Sequence, residues 1–192
     1  MTSPSLGIVK LLIVDDNRNM RALMRAMLQA VGIKHIQEAE DGRSGFAELL
    51  SQKPEIVITD LSMPVMDGIE FVRTIRRAPE SPNPCVPILM VTGHTERSRI
   101  EAGRDAGVTE FLAKPLTAEG LVDRLGKIIN RPRLFVQCEA YFGPDRRRRS
   151  STFPNGPRRR RDDPPEFVDV EQSASNFATR ANCFPISGTP NG

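Results

Sequence analysis

The chain has 192 residues, with 27 lysines and arginines against 24 aspartates and glutamates, a net charge of +3. No apolar stretch reaches the length of a membrane span, and residues 1–14 lack the basic start and long apolar run of a signal peptide. The three cysteines, Cys85, Cys138 and Cys183, are odd in number and scattered, with no close pair for metal or redox work. A disulfide-framed secreted module and a membrane-spanning protein are thereby excluded, and the expectation is a soluble, cytoplasmic chain.

Taken in order, the first apolar run, Leu11–Val14, ends in Asp15-Asp16. Met20, Leu23, Met24, Met27, Leu28 and Val31 then recur at the 3-and-4 spacing of one helix face, and Gly32 stops it. A short run at 34–37 supplies a further strand. Asp41 is placed to cap a second helix carrying Phe46, Leu49 and Leu50, which closes near Pro54. The run Ile56–Ile58 ends in Thr59-Asp60. Ile69, Phe71, Val72 and Ile75 make a third helix, ended by the prolines at 79, 82, 84 and 87. Ile88–Val91 ends in Thr92, and Thr95 opens a fourth helix reaching about Ala106. Phe111–Ala113 ends in Lys114, and Thr117 caps a fifth helix with Leu121, Leu125, Ile128 and Ile129 facing inward.

Four of these runs are apolar at every position, which marks strands covered on both faces. Five βα units in about 130 residues predict one doubly wound α/β domain with a five-stranded parallel sheet. The carboxyl ends of such strands share one edge, where open α/β folds bind ligands. That edge gathers three carboxylates, a hydroxyl and an ammonium. Carboxylates so close raise one another's pKa unless a cation lies among them, so the group calls for a divalent metal and an anion such as phosphate.

The pieces Ile13-Val14-Asp15-Asp16, Met20-Arg21, Glu38-Ala39-Glu40-Asp41-Gly42, Asp60, Met63-Pro64-Val65-Met66-Asp67-Gly68, Val91-Thr92-Gly93 and Phe111-Leu112-Ala113-Lys114-Pro115 stand in order over residues 10–130. Together they resemble the receiver domain of two-component response regulators, of the chemotaxis single-domain (CheY-like) type. The resemblance implies a flavodoxin-like sheet of strand order 2-1-3-4-5. It makes Asp60 the phosphoacceptor, whose carboxylate attacks a phosphoryl group and forms an acyl phosphate. It implies Mg²⁺ held directly by Asp16, mostly through water by Asp15, and by Asp60 and the backbone carbonyl of Ser62. Lys114 would pair with the phosphoryl group, the Thr92 hydroxyl would hydrogen-bond it, and Phe111 stands where the family carries a rotating aromatic. The bond between Lys114 and Pro115 is usually cis in the family. His94 falls at the mouth of the site, where it would tune dephosphorylation.

By residue type alone, other readings stand beside these. Asp15 or Asp67 also suits a turn or helix cap, Thr92 an ordinary strand end, Phe111 plain core, and His94 the surface. His35, on the second strand, receives no role.

Residues 1–131 balance 17 basic against 17 acidic side chains, whereas 132–192 hold 10 against 7, so the whole net charge lies past the receiver. Tyr141–Arg161 holds eight arginines and one aspartate in a rough repeat, Gly143-Pro144-Asp145-Arg146 and then Gly156-Pro157-Arg158. Such a composition cannot repay the entropy of ordering, so residues 132–192 are expected to be a mostly disordered tail after a receiver at 1–131. The segments Leu134–Val136 and Tyr141-Phe142 are the parts able to dock back on the receiver or on a partner.

Two functional readings follow. The first is a signalling switch: a histidine kinase or phosphotransfer protein supplies the phosphoryl group. A target protein then binds the face of the fourth helix, fifth strand and fifth helix. This is not an enzyme in the ordinary sense, since it catalyses only its own phosphorylation. The alternative is a phosphorylation-regulated binder of nucleic acid or another anionic surface through the arginines, whose guanidinium groups pair with phosphates. Few aromatics accompany those arginines, which places nucleic acid last among the partners of the tail.

Overall fold

The computed structural model describes residues 8–93, 97–138, 141–145 and 166–168. Five parallel strands, β1 (Lys10–Val14), β2 (His35–Ala39), β3 (Ile56–Asp60), β4 (Ile88–Thr92) and β5 (Glu110–Ala113), form one sheet of order β2-β1-β3-β4-β5. The helices between and after them are α1 (Arg18–Ala30), α2 (Gly42–Gln52), α3 (Gly68–Arg77), α4 (Arg97–Ala106) and α5 (Ala118–Asn130). The expected fold and strand order are both present.

The apolar runs are continuous because alternate residues serve two cores. Leu11 and Ile13 face a cluster built with Met24, Leu28, Leu121 and Leu125 from α1 and α5. Leu12 and Val14 face the opposite cluster, with Leu49, Phe71, Val72 and Ile75 from α2 and α3. β1, β2, β3 and β4 thus bury side chains on both faces of the sheet, while β5 buries Leu112 on one face and Phe111 partly on the other, which is the physical content of a doubly wound fold.

Caps set most helix starts. Asn17 accepts from the backbone of Asn19 and Met20, Asp41 forms a reciprocal capping box with Ser44, Asp67 accepts from Glu70, and Thr117 accepts from Gly120. The first described residue of α4 is Arg97, and the expected cap at Thr95 lies outside the described residues. Leu23 and Leu50, read as inward-facing, are 43% and 40% exposed. In each helix the inward stripe is narrower than its apolar residues imply.

Past α5 the chain forms β6 (Phe135–Cys138) and β7 (Tyr141–Pro144), an antiparallel pair, and β8 (Glu166–Val168) pairs with the other edge of β6. The two segments expected to be able to dock back therefore do so, as strands. Phe135 and Val136 are buried, and the Phe135 and Phe142 rings meet at 5.7 Å. β6 and β7 are the part of the expected, mostly disordered tail that pairs as strands. The arginine run lies outside the described residues.

The receiver side of this contact is Arg76, which was not foreseen. Arg76 is 4% exposed, and its guanidinium donates to Gly107 O at 3.1 and 2.9 Å and to Pro84 O at 2.6 Å and lies 5.1 Å over the Phe135 ring. Among the described residues no carboxylate lies within ion-pair reach of it. Burial pushes its pKa down to about 9, so it stays charged at neutral pH. Gly107 has φ +102°, and a Cβ there would lie 3.1 Å from Arg76 Nε and 3.2 Å from Phe142 O. Only glycine suits that junction. Cys85, buried nearby in sequence to Pro84, is disulfide-bonded. The scattered cysteines gave no expectation of a bond, because spacing rules see only sequence neighbours.

Candidate functional site

The carboxyl ends of β1, β3, β4 and β5 bring Asp15, Asp60, Thr92 and Lys114 to one edge. Asp60 closes β3 and is 5% exposed; Thr92 closes β4 and is 2% exposed. Lys114 follows β5, and its backbone N–H donates to Thr92 O at 2.8 Å, which ties the two strand ends together. The Lys114–Pro115 peptide bond is cis, as the resemblance implied.

Lys114 is the electrostatic centre of the group. Its Nζ lies 2.7 Å from Asp60 Oδ1 and 3.7 Å from Asp15 Oδ2. Burial alone would lower its pKa, but the hydrogen bond and charge of Asp60, with those of Asp15, outweigh it and hold the ammonium above its ordinary value. Asp15 is raised as well, but by a different cause. Burial raises its carboxyl pKa, with the charges of Asp60 and Asp16 adding to the rise, against the Asn17 N–H and Lys114. The other Asp60 oxygen, Oδ2, accepts from the Ser62 N–H at 2.9 Å.

Asp15 Oδ1 accepts from Asn17 N at 2.8 Å, whereas Asp15 Oδ2 is buried with no hydrogen-bond partner. A buried carboxylate oxygen left without a donor is costly, and it marks a place for a water or cation. Asp16 is exposed beside it. Among the described residues no three His, Cys, Asp or Glu side chains close up as a metal cage. Mg²⁺ needs no such cage, since it keeps several waters and takes few protein oxygens. Two adjacent carboxylates, Asp60 and the Ser62 carbonyl are hard oxygen donors of the right kind, and the orphaned Asp15 Oδ2 suits a metal-bound water as its donor.

Phe111 is partly buried, and a Cβ built at Gly103 of α4 would lie 2.9 Å from its Cζ. The ring therefore rests in a notch that this glycine leaves in α4, one strand away from Thr92. His94 lies outside the described residues.

Three positions at the site escaped sequence reasoning as site builders. Arg21 donates to the carbonyls of Asp15 at 2.7 Å and Asp16 at 3.4 Å, and pairs with Glu38, which also meets Arg25. It fixes the backbone that aims both carboxylates. Gly68 donates its N–H to Leu61 O at 2.9 Å, and a Cβ there would lie 2.1 Å from Asp60 O. Val65, 76% exposed, has φ +68°, a rare conformation for a β-branched residue, in the loop that follows Asp60. The run Met63 through Gly68 was read as a motif, but a motif carries no backbone angle.

A doubly wound parallel sheet thus brings carboxylates and a lysine together at the carboxyl edge of its strands. Residues 11–126 match the family model described as the response regulator receiver domain. The chain belongs to that family. It is 37% identical over 123 residues to chemotaxis protein CheY-3 of Vibrio cholerae, spanning 64% of this chain and 93% of the relative. Chemotaxis protein CheY of Pseudomonas aeruginosa is 35% identical, spanning 64% of this chain and 98% of its own. Among solved structures, CheY4 of Vibrio cholerae is similar with a TM-score of 0.58 and 33% identity, covering 62% of this chain and 98% of that one. A response regulator structure from Chloroflexus aurantiacus gives a TM-score of 0.59 at 30% identity, covering 64% of this chain and 98% of that one. The likeness thus covers the receiver. A CheY-like receiver of two-component signalling is the part of this chain so identified, and among the described residues no helix is long and apolar enough to cross a membrane.

Proposed function

We propose that this receiver takes a phosphoryl group from a histidine kinase or phosphotransfer protein onto Asp60, and that the acyl phosphate switches a surface read by a target protein. The observation that carries the reading is the cluster itself: Asp60 at a strand end, its Oδ1 2.7 Å from Lys114 Nζ, beside Asp15 with an orphaned oxygen. An Asp60 carboxylate oxygen attacks phosphorus, the P–N bond to the donor imidazole breaks, and that nitrogen leaves with the bond's electron pair and takes up a proton.

Asp15, Asp16, Asp60 and the Ser62 carbonyl are the residues that would hold Mg²⁺, which when bound neutralises charge on the transferring oxygens. Lys114 follows the charge: its ammonium, now on Asp60, is within reach of a phosphoryl oxygen attached there. The Thr92 hydroxyl supplies a second donor from β4, and Phe111 beside α4 carries the change to the surface of α4, β5 and α5. His94, close in sequence to Thr92, tunes loss of the phosphoryl group. The receiver ends at residue 131, the chain works in the cytoplasm beside its kinase, and its only catalysis is its own modification.

Incubation with acetyl phosphate and Mg²⁺ followed by mass spectrometry tests this. One acid-labile phosphate is expected, absent from Asp60→Asn. Retention of the label in that variant would place the acceptor elsewhere.

A further inference from the structure

Among its described residues α4 buries only Gly103 and Ala106, neither with a side chain larger than a methyl group. By contrast α1 buries Met24 and Leu28, and α5 buries Leu121, Leu125, Ile128 and Ile129. An element with so little buried apolar surface of its own is readily displaced.

The end of α4 is held from outside instead. Gly107, just past the helix, accepts through its carbonyl from Arg76 Nε at 3.1 Å and Nη2 at 2.9 Å. Against the same turn lies the β6–β7 pair. A Cβ at Gly143 would lie 3.0 Å from Gly107 Cα, and one at Gly107 would lie 3.2 Å from Phe142 O, so two backbones meet there with no side chain between them. Phe142 packs on Phe135, and the Arg76 guanidinium covers the Phe135 ring. The turn is also tied to the notch that receives Phe111, because Val108 N donates to Gly103 O at 3.1 Å.

We propose that the β6–β7 pair is an intramolecular latch, which holds α4 in its present seat and so opposes the switch set off at Asp60. The pair is docked while Lys114 Nζ lies 2.7 Å from Asp60 Oδ1. A phosphoryl group on Asp60 draws Lys114 and the Thr92 hydroxyl to itself, and the change reaches Gly103 through Phe111. Motion of Gly103 moves Gly107 with it and loosens the grip of Arg76, Phe142 and Gly143. A contact made better in one of two states biases the domain toward that state, and the bias is reciprocal. Loosening the pair therefore favours the phosphorylated state, and that state loosens the pair. The latch rests on the reading of Asp60 as the switched site, and it adds that residues past α5 set how readily the site switches.

The test titrates full chains carrying Phe135→Ala or Phe142→Ala with beryllofluoride, a phosphoryl mimic, at fixed Mg²⁺, and follows binding by fluorine NMR. Each variant is expected to bind the mimic about fivefold more tightly than the parent, the lower end of couplings between sites. Leu50→Ala, a comparable truncation at a half-exposed position of α2, should leave the affinity unchanged. A role in stability alone does not tighten binding, so the direction of the change separates a latch from a buttress. Phe142 is only partly buried, so its variant decides the question should Phe135→Ala not fold. In the parent, the amides of β6 and β7 should exchange with deuterium faster by about the same factor once the mimic is bound. Equal or weaker binding by the folded variants, or exchange that the mimic leaves unchanged or slows, would overturn the latch. A parent that bound no beryllofluoride would overturn the proposed function, and the latch with it.

Discussion

At the scale of single residues, Lys114 and Phe111 bear the most. Lys114 offsets two carboxylates, so its neutral replacement leaves like charges close together. Phe111 depends on Gly103: a Cβ there would lie 2.9 and 3.0 Å from the ring. Gly103→Ala is therefore expected to drive the ring out of its notch, at about 1–3 kcal/mol for overpacking, offset by up to about 1 kcal/mol of helix propensity. Urea denaturation gives the net cost, and NMR contacts between the ring and Met90 report its displacement. Thr92→Ala should accept phosphate while blunting the shift of α4 amide resonances on beryllofluoride addition. Equal shifts in both proteins would remove Thr92 from the coupling. Asp60, Lys114 and Thr92 were legible as strand-end residues because apolar runs stop visibly at polar groups. Arg76 was not, since a charged residue at a helix end reads as solvated, and the carbonyls and ring that receive it come from distant segments.

At the scale of elements, caps and the two-faced strands explain most of the fold. Asp41 shows how a cap can be tested. The Ser44 N–H holds its carboxyl below the ordinary value of 3.8. A pKa lowered by folding means stability that is complete above the ordinary value and lost as pH falls through the folded one. Asp41→Ala should cost about 1 kcal/mol near neutral pH. Asp41→Asn should cost less, and its deficit should shrink when urea midpoints are compared in acid. The helices were readable in the sequence because their stripes repeat at fixed spacing. Leu23 and Leu50 misled because an apolar residue beside a stripe is not necessarily under it. Nothing local could announce that Gly103 faces Phe111, a contact made only when α4 lies on β5.

At the scale of the whole molecule, the receiver and the strands after it share an apolar seam. Ending the chain at Arg131 removes the buried Phe135 and Val136 and returns Arg76 to water. The expected loss is about 2–4 kcal/mol, since each buried side chain stabilises by about 1.5–3 kcal/mol and hydration of the freed arginine recovers part. Ending it after Asp145 should cost far less. Both shortened chains should still be labelled by acetyl phosphate. Comparing polyanion binding by the full chain and the chain ending at Asp145, at low and physiological salt, measures what the arginine run adds by charge alone. The short apolar segments at 134–136 and 141–142 showed where the chain after α5 could dock, but not that Arg76 and Gly107 receive it, because four or five apolar residues name no surface.

Gly68 carries a consequence for heredity rather than for chemistry. With 2.1 Å between any added Cβ and the Asp60 carbonyl oxygen, every substitution there must push the acceptor strand or the head of α3 aside. A genetic screen that scores only loss of signalling should therefore return Gly68 mutants alongside Asp60 mutants. Suppressors of the Gly68 alleles should fall at residues that let α3 retreat, whereas alleles at Asp60 should yield none in the same chain.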